Sequence, residues 1–556
     1  MSFNDLYNIL KPHQKYIVDK IINNYDNYQY FFISAPTGSG KTLTVLTILK
    51  WIQENHGYIK AFWYTRTHNE FYPIARDINK FNIKLSVIPV IGKLKICKNP
   101  LMRLFTLLHP YEICRECHYS KEIKMPELIN KYINTQSINE LLASIPKTLC
   151  PYYTLLNTSI DADIVLLTYP YLFGNPRKAV LSYNKPTIEV IDEAHNIENI
   201  PQILSLHLSV ETLHRLKYFG YNIDSLTKLH ANVLGENKMK HVSKELFKGT
   251  LMNVDKRLLV SCVDVSKIAS INIEKAEVIA EFCNFVSAID IPYFDIYATK
   301  HGFKLLVTDP YQIIHDLFET KTIFMSGSLP TKQYINDVWG IDGLYIDIEK
   351  EINFVFGERK WFIATDTTSK LALRKQYLNN MRRYVDTLLH KTKPIQLVVF
   401  PSYEYMNEFR DIAIKYQCIV EHERTRIEDV INEVKVYKRK CIFAVAGGKL
   451  TEGIEITDEH GRTMIKTIIM VGIPYPEPSD YLTRKEKSLA KRIIITSETK
   501  YRYLFHEPAL ILTKQAIGRG IRHEKDKNII VLLDWRYRYF INDLGIKQFI
   551  EIVMKK

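Results

Sequence analysis

The sequence predicts an α/β protein carrying two parallel sheets, each in its own domain. Three observations predict it. Short β-rich apolar runs alternate with helical stretches, the runs fall into two series, and a glycine-rich turn joins the first run to a helix. At 556 residues the chain also exceeds what one hydrophobic core supports, and a length prior gives roughly three or four domains.

The first series comprises Tyr30–Ser34, Ala61–Thr65, Ile164–Leu167, Ile188–Ile191 and Thr322–Met325. The second comprises Gln396–Phe400, Cys441–Val445, Thr467–Val471 and Ile529–Leu533. Two stretches interrupt the first series. Residues from about Val90 to Tyr153 hold cysteines and little strand character. Those from about Leu208 to Lys300 read as helices, with apolar spacing such as Leu213, Leu216 and Ile279, Phe282, Val286. Both are placed as insertions. The expected division is 1–90, 155–207 and 301–345 for the first domain, 91–154 and 208–300 for its insertions, and 346–556 for the second domain.

Apolar residues at 46% and charged residues at 24% are ordinary for a soluble globular protein. The net charge of +14 suits a polyanionic partner. No apolar stretch reaches the roughly 20 residues of a membrane-spanning helix. The start, MSFNDLYNILKPHQ, lacks a basic leader and an apolar signal core, so the expectation is a cytoplasmic protein with no membrane partner. Eight cysteines in so long a chain do not suggest a disulfide scaffold; in a reducing compartment a cluster of them reads as a metal site. The run Tyr437-Lys438-Arg439-Lys440 reads as a solvated face.

The glycine-rich turn is Ala35-Pro36-Thr37-Gly38-Ser39-Gly40-Lys41-Thr42. Successive backbone N–H groups in such a turn cradle phosphates at a helix N-terminus, where the dipole favours negative charge. Lys41 is expected to reach the β- and γ-phosphates of a nucleotide and Thr42 to ligate Mg²⁺. The helix that follows presents Val45, Leu46, Leu49 and Ile52 at core spacing. Ala35 stands where the strict phosphate-loop pattern has glycine. In Glu189-Val-Ile-Asp-Glu-Ala-His195, carboxylates end an apolar strand: Asp192 is placed to hold Mg²⁺ through water and Glu193 to polarise an attacking water. A third segment, Gln515-Ala-Ile-Gly-Arg-Gly-Ile-Arg522, carries two arginines three residues apart. On a helix they would share one face. Their guanidinium forks suit charge developing on a transferring phosphoryl group, so Arg519 and Arg522 are the expected arginine fingers.

Cys97, Cys114, Cys117 and Cys150 have the spacing C-x16-C-x2-C-x32-C. One C-x2-C knuckle supplies two ligands and the outer pair can complete a four-thiolate site. Spacing alone does not separate zinc from iron–sulfur. Cys262, Cys283, Cys418 and Cys441 are scattered and read as core residues.

These motifs, in this order, resemble a superfamily 2 helicase of the DEAH type, and further the archaeal type of the XPD (xeroderma pigmentosum group D) family of iron–sulfur helicases. The resemblance covers nearly the whole chain. Lys11-Pro-His-Gln14 resembles an adenine-recognising Gln motif, Tyr64-Thr-Arg-Thr-His68 a motif on the DNA path, and Ser326-Gly-Ser-Leu329 the motif linking the two sites. Phe400-Pro-Ser-Tyr403, Gly447-Gly-Lys-Leu-Thr-Glu-Gly-Ile-Glu455 and Gly472-Ile-Pro-Tyr-Pro476 are similar to second-domain signatures. Ser328, Thr168 and Glu455 depart from the usual Thr, Asn and Asp but keep polar character.

The resemblance implies two RecA-like motor domains, with an iron–sulfur insertion at 91–154 and a helical arch at 208–300. It implies a 4Fe–4S cluster on Cys97, Cys114, Cys117 and Cys150. His195 and Gln515 join the catalytic set, and Glu452 and Gly453 join Lys11, Gln14 and the 35–42 loop around ATP. Arg66, Thr67, His68, Tyr152, Tyr153 and Tyr169 are the candidate nucleic-acid contacts; base stacking on aromatics with phosphate contacts is how single strands are held. The expected activity is ATP-dependent 5′→3′ unwinding of DNA in nucleotide excision repair, by a monomer acting on single-stranded and forked DNA beside other repair proteins. An RNA-directed motor, a sister iron–sulfur helicase of another pathway, and a scaffold using ATP as a switch are the competing readings.

Overall fold

A computed structural model describes residues 1–98, 119, 123–199, 206–234, 239–263, 272–422, 425–438, 440–453 and 455–554. In chain order the first lobe has β1 (Tyr30–Ser34), β2 (Ala61–Thr65), β3 (Val87–Pro89), β4 (Ile164–Thr168) and β5 (Ile188–Asp192). An excursion follows with β6 (His207–Ser209), β7 (Met239–Val242), β8 (Phe294–Thr299) and β9 (Gly302–Val307), and the chain returns as β10 (Lys321–Ser326) and β11 (Leu344–Asp347). The second lobe has β12 (Glu358–Ala364), β13 (Gln396–Phe400), β14 (Ile419–Val420), β15 (Cys441–Val445), β16 (Thr467–Met470), β17 (Lys527–Leu532) and β18 (Ile550–Ile552).

Among the described residues the first lobe forms a seven-stranded sheet in the order β11-β1-β10-β5-β2-β4-β3, and the second one in the order β14-β15-β13-β16-β17-β12-β18. Both are parallel throughout. Parallel sheets are covered on both faces, which is why their strands read as continuous apolar runs. In the second lobe Leu397, Ile442, Ile468 and Ile530 enter one core. Their neighbours Val398, Phe443, Ile469 and Val531 enter the core on the opposite face. In the first lobe the register sets Ser34 beside Ser326 and Met325 beside Asp192. The glycine-rich loop, the Ser326 segment and the acid pair therefore emerge side by side at the carboxyl edge, where open α/β sheets bind ligands.

The excursion differs from the helical expectation. Helices are present, among them Val210–Tyr218 and Ile273–Ala288, and they bury Leu213, Leu216, Ile279 and Phe282. They pack on an antiparallel sheet, β6-β9-β8-β7. Its β8–β9 hairpin turns at Gly302, with φ 124°, where a Cβ would collide with the Leu208 carbonyl oxygen. The scattered cysteines are also corrected. They are buried or half-buried, but Cys262 is joined to Cys283 and Cys418 to Cys441, with Cα–Cα distances of 5.1 and 4.7 Å. No helix among the described residues is long and apolar enough to cross a membrane.

One segment of the second lobe belongs physically to the first. Leu482 and Leu489 of helix Asp480–Leu489, with Tyr503 and Leu504, are buried in the same core as the first sheet and the excursion. From this strap Lys485 reaches Glu198 at 2.7 Å, with side-chain exposures of 6% and 16%. Glu198 also accepts hydrogen bonds from Tyr334 Oη at 2.9 Å and Trp339 Nε1 at 2.7 Å. Arg492 to Asp309 at 3.0 Å and Tyr481 Oη to the Val307 carbonyl at 3.0 Å extend the attachment. Lys485→Met should lower the free energy of chemical unfolding by about 3–5 kcal/mol, because it strands the buried Glu198 charge. Adding Glu198→Gln should recover most of that loss, since the charge left behind is removed.

Candidate active site

The loop after β1 is shaped by two glycines in left-handed backbone, Gly38 at φ 86° and Gly40 at φ 87°. Gly40 caps the helix Lys41–His56, so its first free N–H groups face the loop's concavity. Gln14 braces this loop from the side: its Oε1 accepts from the Lys11 N–H at 2.8 Å and its Nε2 donates to the Gly40 carbonyl at 3.1 Å. His13 bonds the Ser39 carbonyl at 2.9 Å and lies 4.1 Å from the Phe354 ring. Lys41 Nζ donates to the Ala35 and Pro36 carbonyls at 2.9 and 3.3 Å. Thr42 is in the first turn of the helix. A triphosphate in the cradle would offer Lys41 stronger, charged acceptors than these carbonyls.

Asp192 ends β5, and Glu193 follows at φ 49°, a strained conformation for a residue with a side chain. Burial, together with the Glu193 charge, pushes Asp192 well above the carboxylate range. Burial also acts on Glu193, but His195, Lys41 and Arg519 outweigh it and hold this carboxyl below its ordinary value. A divalent cation beside Asp192 would reverse its local balance. Burial pushes His195 down to about 4, so the ring is neutral at pH 7. Its Nε2 faces the Gln515 amide at 2.5 Å, and its Nδ1 lies 2.7 Å from Ser326 Oγ. Ser326 Oγ donates to Glu193 Oε2 at 3.1 Å. A continuous polar chain thus runs from the second lobe, through His195 and Ser326, to the acid.

The two arginines correct the helical expectation. Helix Glu507–Gly518 stops before them; Arg519 is its C-cap and Arg522 lies in the following turn. Gly518 and Gly520 flank Arg519, and glycine is the poorest helix former after proline. Arg519 Nε donates to the Thr451 carbonyl at 2.8 Å and its Nη2 to the Glu452 carbonyl at 2.6 Å. Arg522 pairs with Glu455 at 3.0 Å. Burial, with Arg522 beside it, brings Arg519 down to about 10. A Cβ at Gly38 would lie 2.5 Å from the Arg522 carbonyl oxygen, so the second lobe rests directly on the glycine-rich loop. Between the lobes is a cavity of about 530 Å³ lined by Thr37, Asp192, Glu193, Gln515, Arg519 and Arg522. Lys11 pairs across the lobes with Glu524 at 2.7 Å, and Gly453 ends the short helix Lys449–Gly453.

Arg66, Thr67 and His68 follow β2, with Glu70 Oε2 accepting from the Arg66 N–H at 2.8 Å. Arg66 crosses the cleft to Glu452 at 2.6 Å. The three candidate tyrosines are packed inside the first lobe. Tyr169 is fully buried, its hydroxyl donating to the Asp192 and Glu193 carbonyls. Tyr152 and Tyr153 are buried too, with Lys93 4.7 and 4.9 Å from their rings.

Sequence reasoning missed a second groove, of about 690 Å³, at the carboxyl edge of the second sheet. Leu371, Ile473, Tyr475, Trp535 and Tyr539 line it, with Arg374 and Arg536 at its margin. It is a built site. Buried Asp534 accepts from Thr368, from the Ser369 N–H and from Arg536 Nη2 at 2.7 Å, and Arg536 lies 5.2 Å from the Tyr475 ring. Its residues come from segments far apart in sequence; the signatures Phe400–Tyr403 and Gly472–Pro476 supply Pro401, Ser402, Ile473, Tyr475 and Pro476, and the Asp534-Trp535-Arg536 triplet after β17 is the local signal that was passed over.

Of the four clustered cysteines, Cys114 and Cys117 lie outside the described residues, and no group of metal-ligating side chains is assembled among the described ones. Cys97 ends the helix Lys93–Ile96 and Cys150 caps the helix Pro151–Thr158. Lys98 Nζ donates to the Lys147 and Leu149 carbonyls at 2.8 and 3.1 Å, which holds the two segments together. By donor chemistry Cys97 and Cys150 would supply two of the four thiolates of the expected site.

Residues 385–544 match the helicase C-terminal domain family and residues 63–213 the DEAD_2 family; residues 8–70 match the res subunit of type III restriction enzymes. ATP-dependent DNA helicase XPD from Sulfolobus acidocaldarius is 32% identical, covering 95% of this chain and 96% of that protein. ATP-dependent DNA helicase CHL1 from Debaryomyces hansenii is 23% identical over 86% of this chain and 72% of its own length. Among solved structures, an XPD helicase aligns over 98% of this chain and 100% of its own with a TM-score of 0.77 and 29% identity. An apo XPD structure gives 0.70 and 26%, over 97% of this chain and 100% of its own.

The neutral His195 has a pH consequence. In the unfolded chain the ring takes up a proton near pH 6.5, but in the folded protein only near 4. The folded state therefore binds fewer protons in that window, and stability falls as the pH drops from 6.5 towards 4. The loss should be on the order of 3 kcal/mol. Urea unfolding of wild type and His195→Gln between pH 7.5 and 4.5 should differ by this slope, a comparison that cancels the shifts of His68, Glu70 and Glu189 in the same window.

Proposed function

The chain belongs to the XPD family of ATP-dependent DNA helicases, and on that basis we propose that it translocates 5′→3′ on single-stranded DNA and opens duplex in nucleotide excision repair. The observation that carries the reading is the interlobe cavity, with the glycine-rich loop and acid pair on one wall and Gln515, Arg519 and Arg522 on the other.

ATP enters with its phosphates on the 35–42 loop, and Lys41 turns from the loop carbonyls to the β- and γ-phosphates. Thr42 and Asp192 would hold Mg²⁺, which supplies charge neutralisation at the phosphates. Glu193 orients a water and takes its proton as the oxygen attacks the γ-phosphorus. The bond to the β–γ bridging oxygen breaks, leaving ADP and phosphate. Arg519 and Arg522 neutralise the charge on the transferring group. Because Gln515 is linked to Glu193 through His195, directly and by way of Ser326, the acid is aligned when the lobes are closed. Loss of the γ-phosphate lets the cleft open, and alternate closure and opening move the strand.

Arg66, Thr67 and His68 hold strand phosphates on the first lobe. On the second, bases stack on Trp535, Tyr475 and Tyr539 while Arg536 meets the backbone, the combination that holds single strands without reading sequence. The insertion at 91–154 carries a 4Fe–4S cluster on Cys97, Cys114, Cys117 and Cys150 that staples a small domain unable to build its own core. With the excursion at 208–300 it forms the edge against which duplex is parted. The protein acts as a monomer on forked DNA, alongside other repair proteins.

Lys41→Ala should abolish ATP turnover and unwinding while single-strand binding persists; unwinding that survives would remove the assigned nucleotide site. Trp535→Ala should weaken oligonucleotide binding about 5- to 100-fold, from ~1–3 kcal/mol per stacked base. Duplexes with a 5′ tail should be opened and those with only a 3′ tail left intact. Purified protein should absorb visible light and contain iron, and Cys150→Ser should lose both.

A further inference from the structure

Glu452 holds two arginines with two different groups. Its carboxylate takes Arg66 Nη2 at 2.6 Å, from the segment assigned to the strand. Its backbone carbonyl takes Arg519 Nη2 at 2.6 Å, and the adjoining Thr451 carbonyl takes Arg519 Nε at 2.8 Å. The short helix Lys449–Gly453 that carries both residues is anchored at its start, where buried Glu421 accepts from the Leu450 N–H at 3.1 Å and the Val445 N–H at 2.8 Å. Thr451 Oγ1 adds a bond to the Val445 carbonyl at 2.9 Å. The base of the helix is fixed, and the end bearing Glu452 is tied to the first lobe through Arg66.

We propose that Glu452 is a positioning residue through which a strand phosphate at Arg66 releases Arg519 towards the γ-phosphate. The proposal rests on the nucleotide and strand sites assigned above. A guanidinium binds carboxylate and phosphate with the same planar fork, so a strand phosphate competes directly with Glu452 for Arg66. The Glu452 carboxylate is only 14% exposed, and once Arg66 has turned away it is a poorly solvated charge lacking its partner. Moving the 449–453 helix end towards water relieves that cost. The same movement breaks the two carbonyl bonds on Arg519, which is then free to meet the charge that develops on the transferring phosphoryl group. The coupling is reciprocal: a nucleotide that draws Arg519 off the carbonyls loosens Glu452 and raises the strand affinity of Arg66.

Glu452→Gln in the full chain keeps the side-chain shape and removes the charge, and Arg66→Ala removes the other partner. ATP turnover is measured without and with saturating oligothymidylate, alongside oligothymidylate affinity by anisotropy. Both variants should turn over ATP about two- to fivefold faster than wild type without a strand, the upper part of the range expected for loss of a partly exposed ion pair. Glu452→Gln should bind oligothymidylate more tightly and Arg66→Ala more weakly, and stimulation by the strand should shrink in both. The exchange Arg66→Glu with Glu452→Arg should return strand-free turnover to the low wild-type level, a rescue that general loss of structure would not give. Strand-free turnover at or below wild type in whichever single variant folds, with wild type stimulated normally, overturns the proposal alone. A wild-type enzyme whose turnover ignores oligothymidylate overturns the strand and nucleotide assignments, and this proposal with them.

Discussion

The buried pair of Lys485 with Glu198 determines how the two lobes face each other. Lys485 is carried on a strap that lies within the second lobe's sequence yet is buried in the first lobe's core, with Leu482, Leu489, Tyr503 and Leu504 around it. Two charges this deeply buried are tolerated only when paired and hydrogen-bonded, and Tyr334 and Trp339 supply the remaining donors to Glu198. Glu198 follows Glu193 by five residues, within the short 3₁₀ helix Ala194–Asn199, so the strap is fixed next to the chemistry. From that fixed point the rest of the second lobe extends over the glycine-rich loop, close enough for Gly38 to meet the Arg522 carbonyl.

Given that constraint, the parallel register does most of the remaining positioning. Adjacent strands β1, β10 and β5 deliver the phosphate cradle, Ser326 and the acids to one edge. The second lobe then completes the site through short polar links: Gln515 to His195, Arg519 to the Thr451 and Glu452 carbonyls, and Arg66 back to Glu452. The first and last of these links cross between the lobes and the middle one ties Arg519 to the residue that Arg66 holds, so occupancy at one place alters the contacts available at another. In a helicase, that arrangement is what connects a nucleotide cycle to grip on a strand.

Much of this was legible in the chain because buried parallel strands are apolar throughout and phosphate loops are contiguous. All nine runs named from the sequence are strands of the two parallel sheets. Short strands such as Val87–Pro89 and Ile419–Val420 carry too few residues for periodicity to register. The hairpin Phe294–Val307 was obscured by the helices around it, although Gly302 marks its turn. The arginine pair was assigned a helical face because spacing was weighed above Gly518 and Gly520, which end the helix. A ring beside a functional motif is as useful inside the core as on the strand path, and spacing does not separate the two; the fold buries Tyr169 with its hydroxyl on the acid pair's backbone. The groove around Trp535 and Arg536 is assembled from segments between Ser369 and Tyr539, so only the fold brings it together.

The central claim is that both lobes act on one triphosphate, and a structure with a transition-state mimic such as ADP–aluminium fluoride tests it most directly. Lys41 should have left the Ala35 and Pro36 carbonyls and Arg519 those of Thr451 and Glu452, both side chains lying within hydrogen-bond distance of the fluoride group. A nucleotide bound elsewhere, or bound in the loop with Arg519 still on its carbonyls, would contradict the account.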